Sequence, residues 1–355
     1  MMQPDTGTPV AEAACREADR IESVDMLESM LAEPSDALKR DLAELEGDIL
    51  VLGCSGKVGP TLCRLARNAA PDKRIIGVAR FSDETVRQRM DGWGVETLPC
   101  DLFDAEQVAA LPRVKNVVYM IGRKFGTSAD PELTWAMNVH IPGIVAQAFR
   151  DSRIVVFSTL CVYPWAAAPG AGCDESVPPK PPSGEYANSC VGRERMFRYF
   201  SKRYGTPGRI VRLNYAIDMR YGILLEIGRK VLRGEPIDLS MGHVNIVWQG
   251  DASEHILRCL GHCTSPSSPI NVGSTENTSI RSLADAFGAR FRKEPIFSAP
   301  ESDRSWINDC SEAARLFGAP RTAVDRMIDW VADWIERGQP TYAKPTKYER
   351  RDGEF

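Results

Sequence analysis

Short runs of apolar residues alternate along this chain with segments in which apolar positions recur every three or four residues. The runs are five to seven residues long and occupy 48–53, 74–80, 116–121, 153–157 and 209–213. A strand that is apolar at consecutive positions is buried on both faces, which is typical of a parallel sheet covered by helices. The alternation therefore predicts an α/β fold built on a doubly wound parallel sheet.

The two ends of the chain differ from this central pattern. Residues 1–46 are polar at first and then acidic with helical periodicity, interrupted at Pro34, where Ser35 or Asp36 can cap a second helix. We expect an N-terminal helical extension that packs on the body of the protein or on a partner subunit. Residues 341–355 are charged, and we expect them to form a loose tail.

Composition and charge narrow the class of protein. The 355 residues are 43% hydrophobic and 26% charged, as in ordinary globular proteins. A net charge of −4 and the lack of a cluster of Lys and Arg argue against nucleic-acid binding. No apolar run approaches the roughly 18–20 residues of a membrane span, and the N-terminus does not resemble a signal peptide. We therefore expect a cytoplasmic protein whose 10 cysteines are free thiols.

The first apolar run leads directly into a glycine-rich loop spaced G-x-x-G-x-x-G and then into a helical segment. Such glycines allow a tight turn and a close approach of the backbone to a pyrophosphate, which the helix N-terminus then holds. The strand–loop–helix context favours a Rossmann-type dinucleotide site over a turn that only packs. The predicted cofactor contacts in the loop are Gly53, Ser55, Gly56, Lys57, Val58 and Gly59.

The end of the second apolar run bears on which dinucleotide is bound. Arg80 stands where such folds usually place an acid against the ribose 2′-hydroxyl, and Lys57 adds a second cation. Both residues favour NADP. NAD is the alternative, because Asp83 follows closely and Arg80 can also be an exposed residue without a ligand.

Further motifs follow the glycine-rich loop in a fixed order. They are Cys100-Asp101-Leu102, Ile121-Gly122, Asn138-Val139, Ser158-Thr159-Leu160-Cys161-Val162-Tyr163, Tyr186 with Glu194, and Trp248-Gln249-Gly250-Asp251-Ala252. Together they resemble the extended short-chain dehydrogenase/reductase family, which includes nucleotide-sugar epimerases and dehydratases, over about residues 48–335. The resemblance implies that Asp101 and Leu102 lie against the adenine and that Ile121 and Gly122 pass along the cofactor.

The same resemblance suggests how the chain is divided. A Rossmann domain would cover residues 47–213 and return at about 244–273. A smaller substrate-binding lobe would comprise 214–243 and 274–340. Family members commonly dimerise through the helices beside Tyr186, so a homodimer is compatible with this arrangement.

The resemblance also implies a catalytic set of Tyr186, Thr159, Ser158 and Asn138. Tyr186 would be the general acid/base at a carbinol or ketone, and a Ser or Thr hydroxyl would bind the same oxygen. A free phenol titrates near pH 10, so it is a poor base at neutral pH unless a cation stabilises the phenolate. The alternative for Tyr186 is a residue at a helix start that only packs.

The chain departs from the family four residues after Tyr186, where the family's Lys is replaced by Cys190. A thiol is mostly neutral at pH 7 and cannot supply the missing charge. Arg193, one turn further on the same helix face, can reach back and take over at the cofactor. Alternatively, the chemistry tolerates a less activated Tyr, or the protein binds NAD(P) without turnover as a regulator or scaffold.

Two more departures concern the substrate. Leu160 and Cys161 stand where the family's dehydratases carry an Asp-Glu pair, which argues against water elimination. The Arg that usually precedes the late Asp is absent, which argues against a nucleotide diphosphate unless Arg212, Arg220 or Arg292 compensates. The predicted substrate contacts are Asn214, Tyr215, Arg220 and Asn245. We expect an NAD(P)-dependent oxidoreductase acting on a carbohydrate-like small molecule, with an epimerase that retains its cofactor as the alternative.

A group of His and Cys residues raises the question of a metal. His255, Cys259, His262 and Cys263 lie within nine residues, a spacing that zinc accepts. Apolar residues interleave with them, which favours a helix packed on the sheet. We predict no metal site.

Overall fold

The computed structural model describes residues 18–354. Its centre is a seven-stranded, all-parallel sheet in the order β7-β6-β5-β4-β1-β2-β3. The strands are β1 Ile49–Leu52, β2 Ile75–Ala79, β3 Glu96–Pro99, β4 Asn116–Tyr119, β5 Arg153–Thr159, β6 Gly208–Leu213 and β7 Ser268–Val272. The predicted doubly wound, Rossmann-type sheet is confirmed. The pattern of apolar runs does not predict the two edge strands, β3 and β7, which are only partly buried.

Thirteen α-helices surround this sheet within residues 18–354. They are α1 Val24–Leu31, α2 Asp36–Glu44, α3 Gly59–Ala69, α4 Glu84–Gly92, α5 Ala105–Ala110, α6 Pro131–Trp135, α7 Ile141–Ala148, α8 Glu185–Tyr204, α9 Ile223–Arg233, α10 Gln249–Arg258, α11 Ile280–Phe291, α12 Ser311–Phe317 and α13 Val324–Glu336. A π-helix spans Ala136–His140, and 3₁₀ turns span Leu160–Val162 and Cys259–His262. None of the helices in this part of the chain is long and apolar enough to cross a membrane.

Four pairs of short strands lie outside the main sheet. Ala166–Ala167 pairs with Arg304–Ser305, Tyr215–Ile217 with Ile246–Trp248, Ile237–Asp238 with Phe297–Ser298, and His243–Val244 with Thr278–Ser279. The Tyr215–Ile217 pair is parallel and begins directly after β6. It therefore carries the chain from the carboxyl edge of the sheet into the C-terminal part.

The hydrophobic core is divided between the sheet and a separate helical cluster. Leu62 of α3 packs on one face of the sheet, and Val145 of α7 with Phe197 of α8 packs on the other. The helical cluster is formed mainly by α1, α9, α11 and α13 and includes Phe287 and Trp330. Burial of these apolar side chains, at about 25 cal/mol per Å², is the main force that joins the layers.

The N-terminal extension packs on the body of the protein. Ser35 caps α2 by accepting a hydrogen bond from the Leu38 backbone at 3.0 Å, as predicted. Leu27 of α1 is fully buried in the helical cluster, and Glu28 forms a 2.8 Å ion pair with Arg220. The predicted helical residues before 18 lie outside the described residues.

The expectation of a loose C-terminal tail is wrong. Thr346 and Tyr348 are buried, and the Arg351 guanidinium donates hydrogen bonds to the carbonyl oxygens of Ser240 (2.7 Å) and Arg304 (2.8 Å). Charge alone suggested solvent exposure. The segment is held instead because its few apolar and backbone groups find partners on the C-terminal lobe.

Candidate functional site

The glycine-rich loop connects β1 to α3 at the carboxyl edge of the sheet. Gly53 has a φ of +87°, and a Cβ on Gly59 would lie 2.1 Å from the carbonyl oxygen of Cys54. Any side chain at Gly59 would therefore force the loop apart. A Cβ on Gly56 would meet only the Gly53 oxygen, at 3.9 Å. The face of the loop at Gly56 is thus open for the approach of a ligand.

A groove runs from this loop across the ends of β2 and β4. Eight of the predicted cofactor contacts line it: Gly53, Ser55, Gly56, Arg80, Asp101, Leu102, Ile121 and Gly122. Arg80 is exposed at the end of β2, and Phe81 turns the chain with a φ of +49°. Asp83 instead caps α4, accepting a 3.0 Å hydrogen bond from the Thr85 backbone. The geometry places Arg80, and not Asp83, on the groove.

Lys57 lies elsewhere. Its Nζ is 3.2 Å from the centre of the Tyr221 ring and 5.0 Å from that of Phe125. It does not line the groove that contains Arg80. The expectation that Lys57 joins Arg80 at a 2′-phosphate is therefore corrected, because the side chain extends toward Tyr221 and Phe125.

A second pocket adjoins the groove, and Met120 and Gly122 belong to the walls of both. It lies between the ends of β4, β5 and β6 and the start of α9. Its wall contains Thr159 and Tyr186, with Val58 at the glycine-rich loop. The two spaces together can hold an elongated ligand that extends from Arg80 to Tyr186.

Tyr186 is the second residue of α8, and its phenol faces this pocket. It hydrogen-bonds with the hydroxyl of Thr159 and with the thiol of Cys190. Burial, followed by the nearby thiols of Cys190 and Cys161, raises the pKa of Tyr186 well above its usual value, while Arg193 opposes the shift. Tyr186 is therefore a neutral phenol at neutral pH, able to donate a proton.

Arg193 supplies a cation where the expected Lys is absent. Its Nη1 donates to the Phe157 carbonyl oxygen at 2.9 Å, and its Nη2 donates to Oδ1 of Asn138 at 2.7 Å. A Cβ on Gly122 would lie 2.4 Å from Nη2, so only glycine leaves room for this guanidinium. Burial raises the pKa of the Cys190 thiol to about 11, so Cys190 is neutral. Arg193 reaches the pocket wall, as the interpretation in which it replaces the family's Lys requires.

Asn138 is buried next to the pocket, whereas Ser158 belongs to the pocket wall. Asn138 is fully buried in the π-helix, where it accepts hydrogen bonds from Arg193 and from the backbone of Arg123 at 2.8 Å. Ser158 donates to Glu194 at 2.7 Å. Asn138 does not line the pocket and instead holds Arg193 in position, whereas the catalytic role of Ser158 stays a prediction.

The predicted substrate contacts separate into two groups. Tyr215 and Asn214 line the pocket. Arg220 does not, because its guanidinium is bound by Asp218 and Glu28, each at 2.8 Å. Asn245 is fully buried, and its Oδ1 accepts a 2.7 Å hydrogen bond from Asn214. The predicted substrate contact is corrected for Arg220 and Asn245, which hold the lobe together.

Lys124 and Thr346, two polar residues of the pocket wall, were not singled out from the sequence. Lys124 lies two residues after Gly122, near the end of β4, so its position in the sequence could have indicated that it lies near the site. Thr346 carries no local signal, because only the packing of the C-terminal segment brings it to the wall.

The four His and Cys residues near 259 sit on and after α10. Burial lowers the pKa of His255 to about 4 and raises that of Cys263 to about 12, so both are neutral. Across residues 18–354, no three His, Cys, Asp or Glu side chains are grouped so that they could hold a metal ion.

Solved structures with the same fold include several sugar-nucleotide epimerases. The UDP-glucuronic acid 4-epimerase of Bacillus cereus, in complex with UDP-glucuronic acid and NAD, is 16% identical, with a TM-score of 0.68, and the match covers 82% of this chain and 99% of that one. For the Thermus thermophilus UDP-glucose 4-epimerase complex with NAD, the identity is 20%, the TM-score 0.66 and the coverage 81% and 99%. At these identities the likeness establishes the fold alone.

Sequence comparison carries the assignment further. No curated protein sequence matches this chain. Residues 49–217, which include the glycine-rich loop, Thr159 and Tyr186, match the model of the NAD dependent epimerase/dehydratase family. The predicted resemblance to this family is therefore confirmed over residues 49–217.

Proposed function

We propose that this protein catalyses nicotinamide-dependent redox chemistry at a carbinol or carbonyl carbon of a carbohydrate-like small molecule. The observation that carries the proposal is the Tyr186–Thr159 hydroxyl pair, which faces a pocket continuous with the dinucleotide groove. The cation of Arg193 lies in the same wall. These are the parts that proton transfer at a substrate oxygen needs.

The described residues fit a dinucleotide. The open face of the loop at Gly56 and the N-terminus of α3 suit the pyrophosphate, and Asp101 with Leu102 suits the adenosine. Arg193, which belongs to the wall of the adjoining pocket, carries a buried Nε without a hydrogen-bond partner. When bound, an oxidised nicotinamide supplies a hydride acceptor and a positive charge.

The side chains around the pocket would have different roles in proton transfer. Tyr186 would exchange a proton with the substrate oxygen, and Thr159 would hold that oxygen by a hydrogen bond. Arg193 would favour the phenolate when Tyr186 accepts the proton, which opposes part of the effect of burial. Leu160 and Cys161 offer no second acid/base pair, because burial raises the pKa of the Cys161 thiol. This arrangement argues against elimination of water.

A net oxidoreductase and an epimerase would use the same residues. The family match and the fold shared with UDP-sugar 4-epimerases favour epimerisation as the second candidate. The two are distinguished by following reduced nicotinamide and the stereochemistry of the sugar together. A net change in reduced nicotinamide supports the oxidoreductase, whereas inversion without it supports the epimerase. Cofactor binding without either reaction, across neutral, acidic and nucleotide-linked sugars, would count against both.

Arg80 allows a prediction about cofactor choice. Its exposed guanidinium at the groove and the engagement of Asp83 as a helix cap support NADP. Arg80→Ala is expected to weaken NADPH binding about ten-fold and to leave NADH binding nearly unchanged. Parallel fluorescence titrations with the two reduced cofactors measure this. Tighter binding of NADH by the unmodified protein would contradict the NADP preference while leaving the redox function intact.

Arg193 and Cys190 permit a rescue experiment. Arg193→Ala is expected to lower turnover about 10²-fold, because a preorganised donor is lost from the site. Cys190→Lys alone is also expected to lower it, since a second buried cation would lie beside Arg193. The double variant should be more active than either single variant, as the introduced ammonium would then take over the missing charge. A double variant no better than Arg193→Ala would show that Arg193 does not substitute for the family's Lys.

A further inference from the structure

The part of the pocket wall formed by Lys124, Tyr221 and Thr346, here called its mouth, carries positive charge. Among the described residues of the pocket wall, the charged ones are Lys124 and Arg193, and none is an Asp or Glu. Arg193 is engaged deep in the wall by Asn138 and Phe157. Lys124, whose pKa is lowered by burial, is the other cation of the pocket wall.

Lys57 stands next to Lys124 at this mouth. Its Nζ lies 3.2 Å from the ring centre of Tyr221, a residue of the pocket wall. Lys57 and Lys124 also share the ring of Phe125, at 5.0 and 5.7 Å from its centre. Two lysines on different loops therefore contact the same aromatic ring.

The C-terminal segment completes this region. The Lys124 ammonium donates a 3.3 Å hydrogen bond to the carbonyl oxygen of Thr346, a buried residue of the pocket wall. The segment brings Lys344 near Lys57 and Lys347 near Lys124. The backbone of Thr346 is fixed in turn by a hydrogen bond to Glu226.

The neighbouring carboxylates do little to offset these cations. Asp218 is bound by the Arg220 guanidinium at 2.8 Å. Burial raises the pKa of Glu226, and its oxygen accepts the hydrogen bond from Thr346. Burial and the like charges of Lys124 and Lys344 lower the pKa of Lys57 to about 8. The lysines therefore repel one another, and a bound anion would relieve that repulsion.

We infer that the mouth of the pocket is a binding site for an oxyanion of the substrate, a carboxylate or a phosphate, held by Lys57 and Lys124 beside the C-terminal segment. The inference rests on the proposed function, because it names the substrate class of the same pocket. It also gives Lys57 a role that the dinucleotide groove does not. The substrate is then an acidic sugar whose charge is bound by Lys57 and Lys124 beside the C-terminal segment.

Three sugars that differ in one substituent test this inference. Protein loaded with its reduced cofactor is titrated calorimetrically with glucose, glucuronate and glucose 6-phosphate. At least one of the charged sugars is expected to bind about ten-fold or more tightly than glucose. The tighter of the two identifies the oxyanion as carboxylate or phosphate. Equal binding of all three, or binding of none to the loaded protein, would overturn the inference.

Matched variants locate the effect. In the Lys57→Met/Lys124→Met variant, which keeps the apolar stems, the advantage of the charged sugar is expected to disappear while glucose binds as before. Lys202→Met, an exposed lysine at the end of α8, is the control and should keep the advantage. An advantage that survives in the double variant, or that is lost equally in the control, would exclude these lysines.

The pH dependence gives an independent readout. The groups that face Lys57 are Lys124, Lys344, Asp218, Glu226 and the phenol ring of Tyr221. A lysine loses its charge as the pH rises through its pKa, so binding of the charged sugar should weaken above about pH 8, whereas glucose binding should not change. A bound anion raises that pKa, so the decline shifts to higher pH as the sugar concentration increases. Charged-sugar binding that is flat to strongly alkaline pH would contradict a role for Lys57.

Cofactor affinity separates failure of this inference from failure of the proposed function. If the unmodified protein binds neither NADH nor NADPH, the proposed redox function fails. If it binds cofactor but shows no preference for charged sugars, only the oxyanion site fails. A double-lysine variant that loses cofactor affinity and not sugar affinity would assign the lysines to the cofactor pyrophosphate and overturn the inference.

Discussion

Tyr186→Phe is expected to lower turnover about 10²–10⁴-fold while leaving cofactor affinity within a few-fold of the unmodified protein. The substitution removes the proton that the phenol exchanges with the substrate oxygen, and it also removes the hydrogen bond to Thr159. The ring and its apolar contacts stay in place, so α8 and the pocket wall should keep their geometry. Turnover and cofactor titration measured on the same preparation report the two quantities.

A matched tyrosine on the same helix serves as the control. Tyr199 lies on α8 with 53% of its surface exposed. Its hydroxyl accepts a 3.2 Å hydrogen bond from the exposed Arg203. Tyr199→Phe should leave turnover unchanged. If Tyr186→Phe also retains full turnover, Tyr186 is not the acid/base and the non-catalytic alternative gains support. Loss of folding in Tyr186→Phe would be visible as a shifted unfolding transition and is checked first.

Glu194→Ala is expected to lower the free energy of unfolding by about 3–5 kcal/mol. Glu194 is buried and accepts hydrogen bonds from Arg212 at 3.0 and 2.8 Å and from Ser158 at 2.7 Å. Arg212 is also buried and donates to the hydroxyl of Tyr163 at 2.7 Å. Removal of the carboxylate leaves the guanidinium without its counter-charge in the interior, which is the main cost.

Urea unfolding of Glu194→Ala and Glu96→Ala side by side measures this. Glu96 forms a similar two-pronged pair with Arg74, at 2.9 and 3.0 Å, but both partners are substantially exposed to solvent. Solvent screens such a pair, so Glu96→Ala should cost only about 0–1 kcal/mol. Equal losses in the two variants would show that burial does not determine how much the Glu194–Arg212 pair contributes to the free energy of unfolding. Glu194→Gln, which keeps hydrogen-bonding atoms, should fall between the two.

Local patterns in the sequence were sufficient for the centre of the fold. Each of the five apolar runs is a strand of the sheet, and the loop from Gly53 to Gly59 joins β1 to α3 as its spacing predicts. Burial on both faces leaves a continuous apolar signal, so these elements can be read one at a time. The edge strand β3 gives no such signal, because part of it faces solvent.

The candidate site was predictable in part, for the same reason. Residues next to the strand ends, such as Arg80, Thr159 and Gly122, must lie at the carboxyl edge of a parallel sheet, where ligands bind. Lys57 shows the limit of this reasoning. Its position in the loop was known, but the direction of its long side chain depends on Tyr221 and Phe125, which distant parts of the chain supply.

By itself, the sequence determined the parallel sheet, the dinucleotide loop, the order of the family motifs and the absence of Lys four residues after Tyr186. Only the tertiary structure decided that Arg193 reaches the pocket and that the C-terminal segment forms part of its wall. It also decided that the side chains of Arg220 and Asn245 bind other residues of the protein and do not face the pocket. The physical reason is the range of the interactions. Periodicity and loop chemistry act over a few residues, whereas the partner of a buried charge or amide is chosen by packing between segments far apart in the chain.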